Sequence, residues 1–172
     1  MNPHAKLVTS ISIILGTTIT ISSNHWAMIW TGLEINTLAI IPMISKSHHP
    51  RAIEATVKYF LTQAAASAMI LFSSTINAWS SGQWDITQLT NTPSSLLLTT
   101  AIAMKLGLVP FHFWFPEVLQ GSSLTTALLL STMMKFPPLT ILLLTNNSLN
   151  PYLLTTMAIT SAALGGWMGL NQ

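Results

Sequence analysis

Long apolar runs alternate along the chain with short polar punctuation, and the runs have the length of membrane crossings. A helix that spans the hydrocarbon core of a bilayer needs about 20 mostly apolar residues. Six stretches fit this description: Ala5 to Ser23, His25 to Ser45, Ile53 to Trp79, Ser94 to Val109, Ser123 to Thr145, and Tyr152 to Leu170. Between them lie Asn24, the run from Lys46 to Arg51, the polar loop from Ser80 to Pro93, the Pro-flanked stretch from Pro110 to Gly121, and the run from Asn146 to Pro151. No soluble domain fits between these segments. The pattern predicts an all-α, polytopic transmembrane helix bundle, a single domain over residues 1–172 with about six spanning helices.

Composition supports this reading. Only 6% of the 172 residues are charged and 50% are hydrophobic, with a mean hydropathy of +0.56, whereas soluble domains carry roughly 25% charged residues. Ten formal charges cannot cover the core of a soluble fold of this size. The six Lys and Arg are scattered, with no basic stripe interleaved with aromatics, which argues against a nucleic-acid partner. Cysteine is absent, which excludes disulfides, thiolate metal sites and iron–sulfur ligation by this chain. There is no Gly-rich nucleotide loop and no supported Ser-His-Asp arrangement, so soluble enzymology is not expected. Lys6 followed by an apolar run imitates a signal peptide, but further apolar segments follow without an A-x-A-like cleavage site, so this segment is expected to be a retained helix.

Charge sets the expected orientation. Lys6 precedes the first segment, and Lys46, Arg51 and Lys58 surround the junction of the second and third, so two crossings bring these groups to one face. By the positive-inside rule this is the matrix or cytoplasmic face. The loop from Ser80 to Pro93, with Asp85 as its one charge, falls on the other. Trp26, Trp79, Trp84, Trp114 and Trp167 lie near segment ends and read as anchors in the headgroup belt. Small and hydroxyl residues inside the segments, such as Thr17, Thr18, Thr20 and Ala64 to Ala68, suit close helix packing in lipid.

Three charges fall near the middle of expected crossings: Glu34, Lys105 and Lys135. An ionised group at mid-bilayer costs on the order of 2.5–3.5 kcal/mol on insertion scales, and such groups mark ion or proton pathways. If Glu34 and Lys105 approach each other, making or breaking their pair shifts the lysine's hold on a proton, and Lys135 is placed to accept what Lys105 releases. The competing reading is a static buried pair with Lys135 snorkelling. After Lys105 comes PFHFWFP, Pro110 to Pro116, where a helix must end or break. Either this is the mouth of a hydrated path with His112 as a proton relay, or the prolines end one span before a surface helix finishing near Glu117. Pro137 and Pro138 leave backbone carbonyls unpaired beside Lys135. His48, His49 and Arg51 read as a basic loop rather than a metal site, and Glu54 and Lys58 as an i, i+4 ion pair.

The stretches SSNHWAMIWTGLEINTLAIIPMISK, AIEATVKYFLTQA and AMKLGLVPFHFWFPEVLQGSSLTT resemble the antiporter-like subunits of vertebrate mitochondrial NADH–ubiquinone oxidoreductase, respiratory complex I. The resemblance runs along essentially the whole chain. It implies an inverted-repeat antiporter-like fold with a broken helix in each five-helix repeat. It also implies that Glu34, Lys105 and Lys135, with His112 beside the break, form the proton pathway. The implied role is proton translocation across the inner mitochondrial membrane, coupled to electron transfer from NADH to ubiquinone. The implied partners are other membrane-arm subunits and membrane lipids; NADH, FMN, iron–sulfur clusters and ubiquinone are expected in partner subunits, with no cofactor and no metal in this chain. Members of the family are roughly twice as long as this chain, so residues from about 5 to 145 are expected to be the first repeat and about 152 to 170 the start of the second. Two other readings stand beside this one: a structural or assembly subunit whose charges fix helix register, and a stand-alone cation/proton antiporter.

Overall fold

The computed structural model describes residues 2–171; Met1, Gln172 and the side chain of Ser47 lie outside the described residues. The chain folds into α1 (Pro3–Ser22), α2 (Trp26–Ile44), α3 (Pro50–Ser81), α4 (Thr92–Leu106), α5 (Trp114–Gly121), α6 (Leu124–Ser131), α7 (Phe136–Leu144) and α8 (Pro151–Leu170), with single 3-10 turns at Ser45–Ser47 and Met133–Lys135. Local chemistry sets the boundaries. Proline opens α1, α3 and α8, where its missing amide costs nothing. His25, His49 and Asn150 accept hydrogen bonds from backbone amides at the starts of α2, α3 and α8. Gly82 and Gly107 end α3 and α4 at φ 70° and 73°, the left-handed conformation that favours glycine.

Within the helices, hydroxyl groups donate to carbonyls one turn back, as exposed Thr18 does to Leu15 (2.9 Å) and buried Thr20 to Thr17 (2.8 Å), so they enter an apolar setting without unpaired donors. Helices α1 and α2 pack backbone to backbone: a Cβ on Gly16 would lie 2.8 Å from the Gly32 carbonyl oxygen, and one on Gly32 would lie 2.9 Å from that of Gly16. The loop between α3 and α4 closes over the α1–α2 turn. Ile86 donates to the Asn24 carbonyl at 2.9 Å, Trp26 donates to that of Trp84 at 3.1 Å, and buried Asn77 holds Gln88 and Thr90 from beneath. In the same loop the amide and hydroxyl of Thr87 donate to Asp85, which holds its carboxyl below the usual carboxylate range.

Five segments are long and apolar enough to cross a membrane: Pro3–Ser22, Trp26–Ile44, Pro50–Ser81, Leu124–Leu144 and Pro151–Leu170. The fourth expected crossing is different. Helix α4 has 15 residues and is therefore only about 22 Å long, short of the roughly 30 Å hydrocarbon core. Contacts along α3 show how the crossing is completed. Ser73 meets the Ser94 carbonyl at 2.7 Å, Ser67 meets Lys105 at 2.9 Å, Lys58 meets Glu117, and a Cβ on Gly121 would lie 2.5 Å from the Ala55 Cβ. From Ser73 to Arg51 this path follows α3 for about 33 Å. One crossing is thus made of α4, a break, and α5. The helix ends at Leu106 rather than Val109, and α5 is not a separate surface helix, since it runs past Glu117 to Gly121 and buries Trp114 and Val118.

The fifth crossing is also interrupted. Pro137 and Pro138 lack the amides that would pair with the carbonyls four residues earlier, and the helix gives way to a 3-10 turn over Met133–Lys135. Two apolar clusters hold the bundle: Trp26, Ile29, Leu33, Ile70, Leu98 and Ile102 in one, and Ile40, Ile44, Tyr59, Trp114, Val118 and Leu130 in the other. This corrects the belt reading for two tryptophans. Trp26 and Trp114 are core residues at 1% and 9% exposure, whereas Trp79 and Trp167 are widely exposed. Helix α8 touches the first cluster through Leu154 and has no buried residue.

Candidate functional site

The two interrupted crossings meet at their interruptions. Lys105 lies in the last turn of α4, 4% exposed, and its ammonium donates to the Ser67 hydroxyl at 2.9 Å. Where α4 stops, the amides of Gly107 and Leu108 fold back onto the Met104 and Ala103 carbonyls at 3.3 and 2.9 Å, and the last turn still carries the negative end of the helix dipole and spare acceptor capacity. Two groups from outside α4 use that capacity. The Trp114 indole donates to the Met104 carbonyl at 3.1 Å, and the Lys135 ammonium donates to the Leu106 carbonyl. Lys135 also sits over the Phe115 ring, 4.2 Å from its centroid, within cation–π range.

Both lysines border a cavity of about 20 Å³, room for one water molecule. Asn36 from α2, with Tyr59 and Gln63 from α3, completes its polar wall. Glu34 does not line the cavity, although Leu33, Asn36 and Thr37 of the same helix do, and one of its carboxylate oxygens is buried without a hydrogen-bond partner. The direct Glu34–Lys105 pair considered from sequence is not formed. Among the described residues both ion pairs belong to Lys58, and Glu34 acts on Lys105 and Tyr59 only through its field. Lys135 does not snorkel, because the Leu106 carbonyl takes its ammonium.

His112 is not part of this cluster. It packs on Phe113 with ring centroids 4.2 Å apart, its two ring nitrogens have no partner, and it faces a separate cavity of about 660 Å³ shared with Ser161 and Gly165 of α8. The expected Glu54–Lys58 pair is present at 2.6 Å, and Glu117 joins it from α5, so Lys58 ties the second half of the broken crossing to α3. Tyr59, Gln63, Ser67 and Asn36 were not singled out from sequence. The first three recur at i, i+4 and i+8 on α3, a polar stripe in an apolar helix that could have been noticed.

Comparison with known proteins agrees with this architecture. Residues 23–172 match the family described as NADH:quinone oxidoreductase/Mrp antiporter, transmembrane, and the chain belongs to that family. The NADH-ubiquinone oxidoreductase chain 2 of Struthio camelus is 78% identical and that of Gallus gallus 76%, over all of this chain and 50% of each relative. The chain thus spans about half the length of the curated relatives it matches. A chain of respiratory complex I from Thermus thermophilus, solved with bound aureothin, superposes with a TM-score of 0.87 at 26% identity, over 95% of this chain and 39% of that one. A chain of the archaeal membrane-bound sulfane sulfur reductase shares the fold alone, with a TM-score of 0.73 at 18% identity over 91% of this chain and 35% of that one. The resemblance read in the sequence and the multi-pass, all-helical fold are borne out.

Proposed function

We propose that this chain forms part of a membrane-arm subunit of respiratory complex I in the inner mitochondrial membrane, and that it translocates protons as electrons pass from NADH to ubiquinone. One observation carries the reading: two lysines from two interrupted helices meet around a small polar cavity, each held by neutral oxygens instead of a carboxylate. Keeping an ammonium charged in such a place is costly, and neutral partners leave it free to release its proton. Lys105 and Lys135 then exchange protons, Glu34 modulates Lys105 through its field, and His112 serves the path on the α8 side. NADH, FMN, iron–sulfur clusters and ubiquinone belong to partner subunits, and membrane lipids surround the apolar faces. The basic ends, Lys6 and Lys46 to Lys58, lie on the matrix side. Residues from about 5 to 145 form the first of two repeats, with α8 opening the second.

Replacing Lys105 by alanine in the full-length subunit tests this proposal. NADH-driven proton movement per electron should fall while the amount of assembled complex holds. A structural reading also has an observation in its favour, since both ammonium groups tie neighbouring segments together. It predicts the reverse: less complex assembled, with the usual proton-to-electron ratio in what remains.

A further inference from the structure

We infer that Asn36 holds a water molecule in the cavity between Lys105 and Lys135 and is thereby a positioning residue for proton passage between them. This rests on the proton-translocating reading above. Asn36 is 3% exposed, and neither atom of its amide has a hydrogen-bond partner in the protein. Buried amides are nearly always paired, with protein or with ordered water. Its oxygen is seated against Gly16 of α1, where a Cβ would come within 2.8 Å of the Asn36 Cγ, so glycine there gives the amide its place. The same side chain lines the cavity of about 20 Å³ that also reaches Lys105, Lys135, Tyr59 and Gln63. That volume holds one water, and a buried water needs two to four polar partners.

The lysines alone cannot orient such a water. A charged ammonium has three donors and no acceptor; Lys105 commits one to Ser67, and Lys135 commits one to the Leu106 carbonyl. The Asn36 oxygen is turned to Gly16, so its amide N–H is the group left for the cavity: it donates to the water, which also accepts from Lys105 and gives its own hydrogens to the Gln63 side-chain oxygen until Lys135 is neutral. Transfer then balances in one step. An N–H bond of Lys105 breaks as a new O–H bond forms on the water, and one of the water's original O–H bonds breaks as an N–H bond forms on neutral Lys135. Lys105 ends neutral, Lys135 ends as an ammonium, and the water is regenerated.

The test uses the intact complex carrying Asn36→Leu, which matches volume without polarity, and Asn36→Ser, which keeps a hydroxyl able to hold the water. Asn36→Leu should lower protons moved per electron several-fold, and Asn36→Ser should restore most of that loss. A normal ratio in Asn36→Leu, or equal loss in both variants, overturns the inference. Should Asn36→Leu fail to assemble, a map of the unaltered complex that resolves ordered water decides. Density within hydrogen-bond distance of both Asn36 and a lysine supports the site, and a dry cavity overturns it. Lys105→Ala separates the two levels: if it pumps normally, the translocation reading itself fails, whereas loss in Lys105→Ala beside a normal Asn36→Leu sinks only the role of Asn36.

Discussion

Lys58 and the pair formed by Lys105 and Lys135 carry the same chemical group in opposite settings. Lys58 is 40% exposed at the start of α3, between Glu54 at 2.6 Å and Glu117. Lys105 and Lys135 lie where two crossings break, with a hydroxyl, a carbonyl and an aromatic face for company. Two carboxylates and water keep the first lysine charged whatever its neighbours do. The buried lysines lack such a counter-charge in contact, so their protonation answers to small changes around them. The first lysine therefore fastens α5 to α3, and the other two are suited to carry protons. The breaks themselves make the difference, because ending a helix inside the bundle exposes carbonyls that accept from an ammonium.

Four changes probe this contrast and the packing around it. Lys105→Ala has the largest expected effect: NADH-driven proton translocation falls by about tenfold or more, conservative for removing a positioned acid–base group, at unchanged assembly on native gels. Gly16→Ala comes next, because overpacking the α1–α2 contact costs about 1–3 kcal/mol; thermal unfolding of the solubilised complex should show the loss. Lys58→Ala should cost little stability, because solvent screens an exposed pair, and should leave proton movement per electron intact. The smallest effect belongs to Asp85. Donation from Thr87 lowers its folded-state value below the unfolded one, so its contribution is complete at neutral pH and is lost as pH falls through that lowered value. Hydrogen exchange in residues 82–91 should rise on acidification; Thr87→Val, which loses the hydroxyl but keeps the amide donor, should weaken that pH dependence, and Asp85→Asn should abolish it.

Much of this architecture is legible in the sequence. Apolar runs of about 20 residues announce the crossings, PFHFWFP announces the broken one, and Pro137 with Pro138 marks the second interruption. Mid-run charge singles out Glu34, Lys105 and Lys135 for the same reason that makes them costly. What the pattern could not supply is helix rotation and depth. Ser67 reads as one more small residue until α4 brings Lys105 to it, and Asn36 gains meaning only against Gly16. Trp26 and Trp114 sit at segment ends like belt residues, yet the closed loop over α2 and the packing of α5 on α3 draw both inward. Whether Glu34 touches Lys105 is likewise a matter of three-dimensional distance, which no spacing along the chain encodes.

The contrast is tested most directly by protons moved per electron in sealed membranes bearing the full-length subunit with Lys105→Ala or, separately, Lys58→Ala. The first substitution should abolish most of the coupled movement and the second should preserve it. Normal coupling in Lys105→Ala, or a collapse confined to Lys58→Ala, would contradict it.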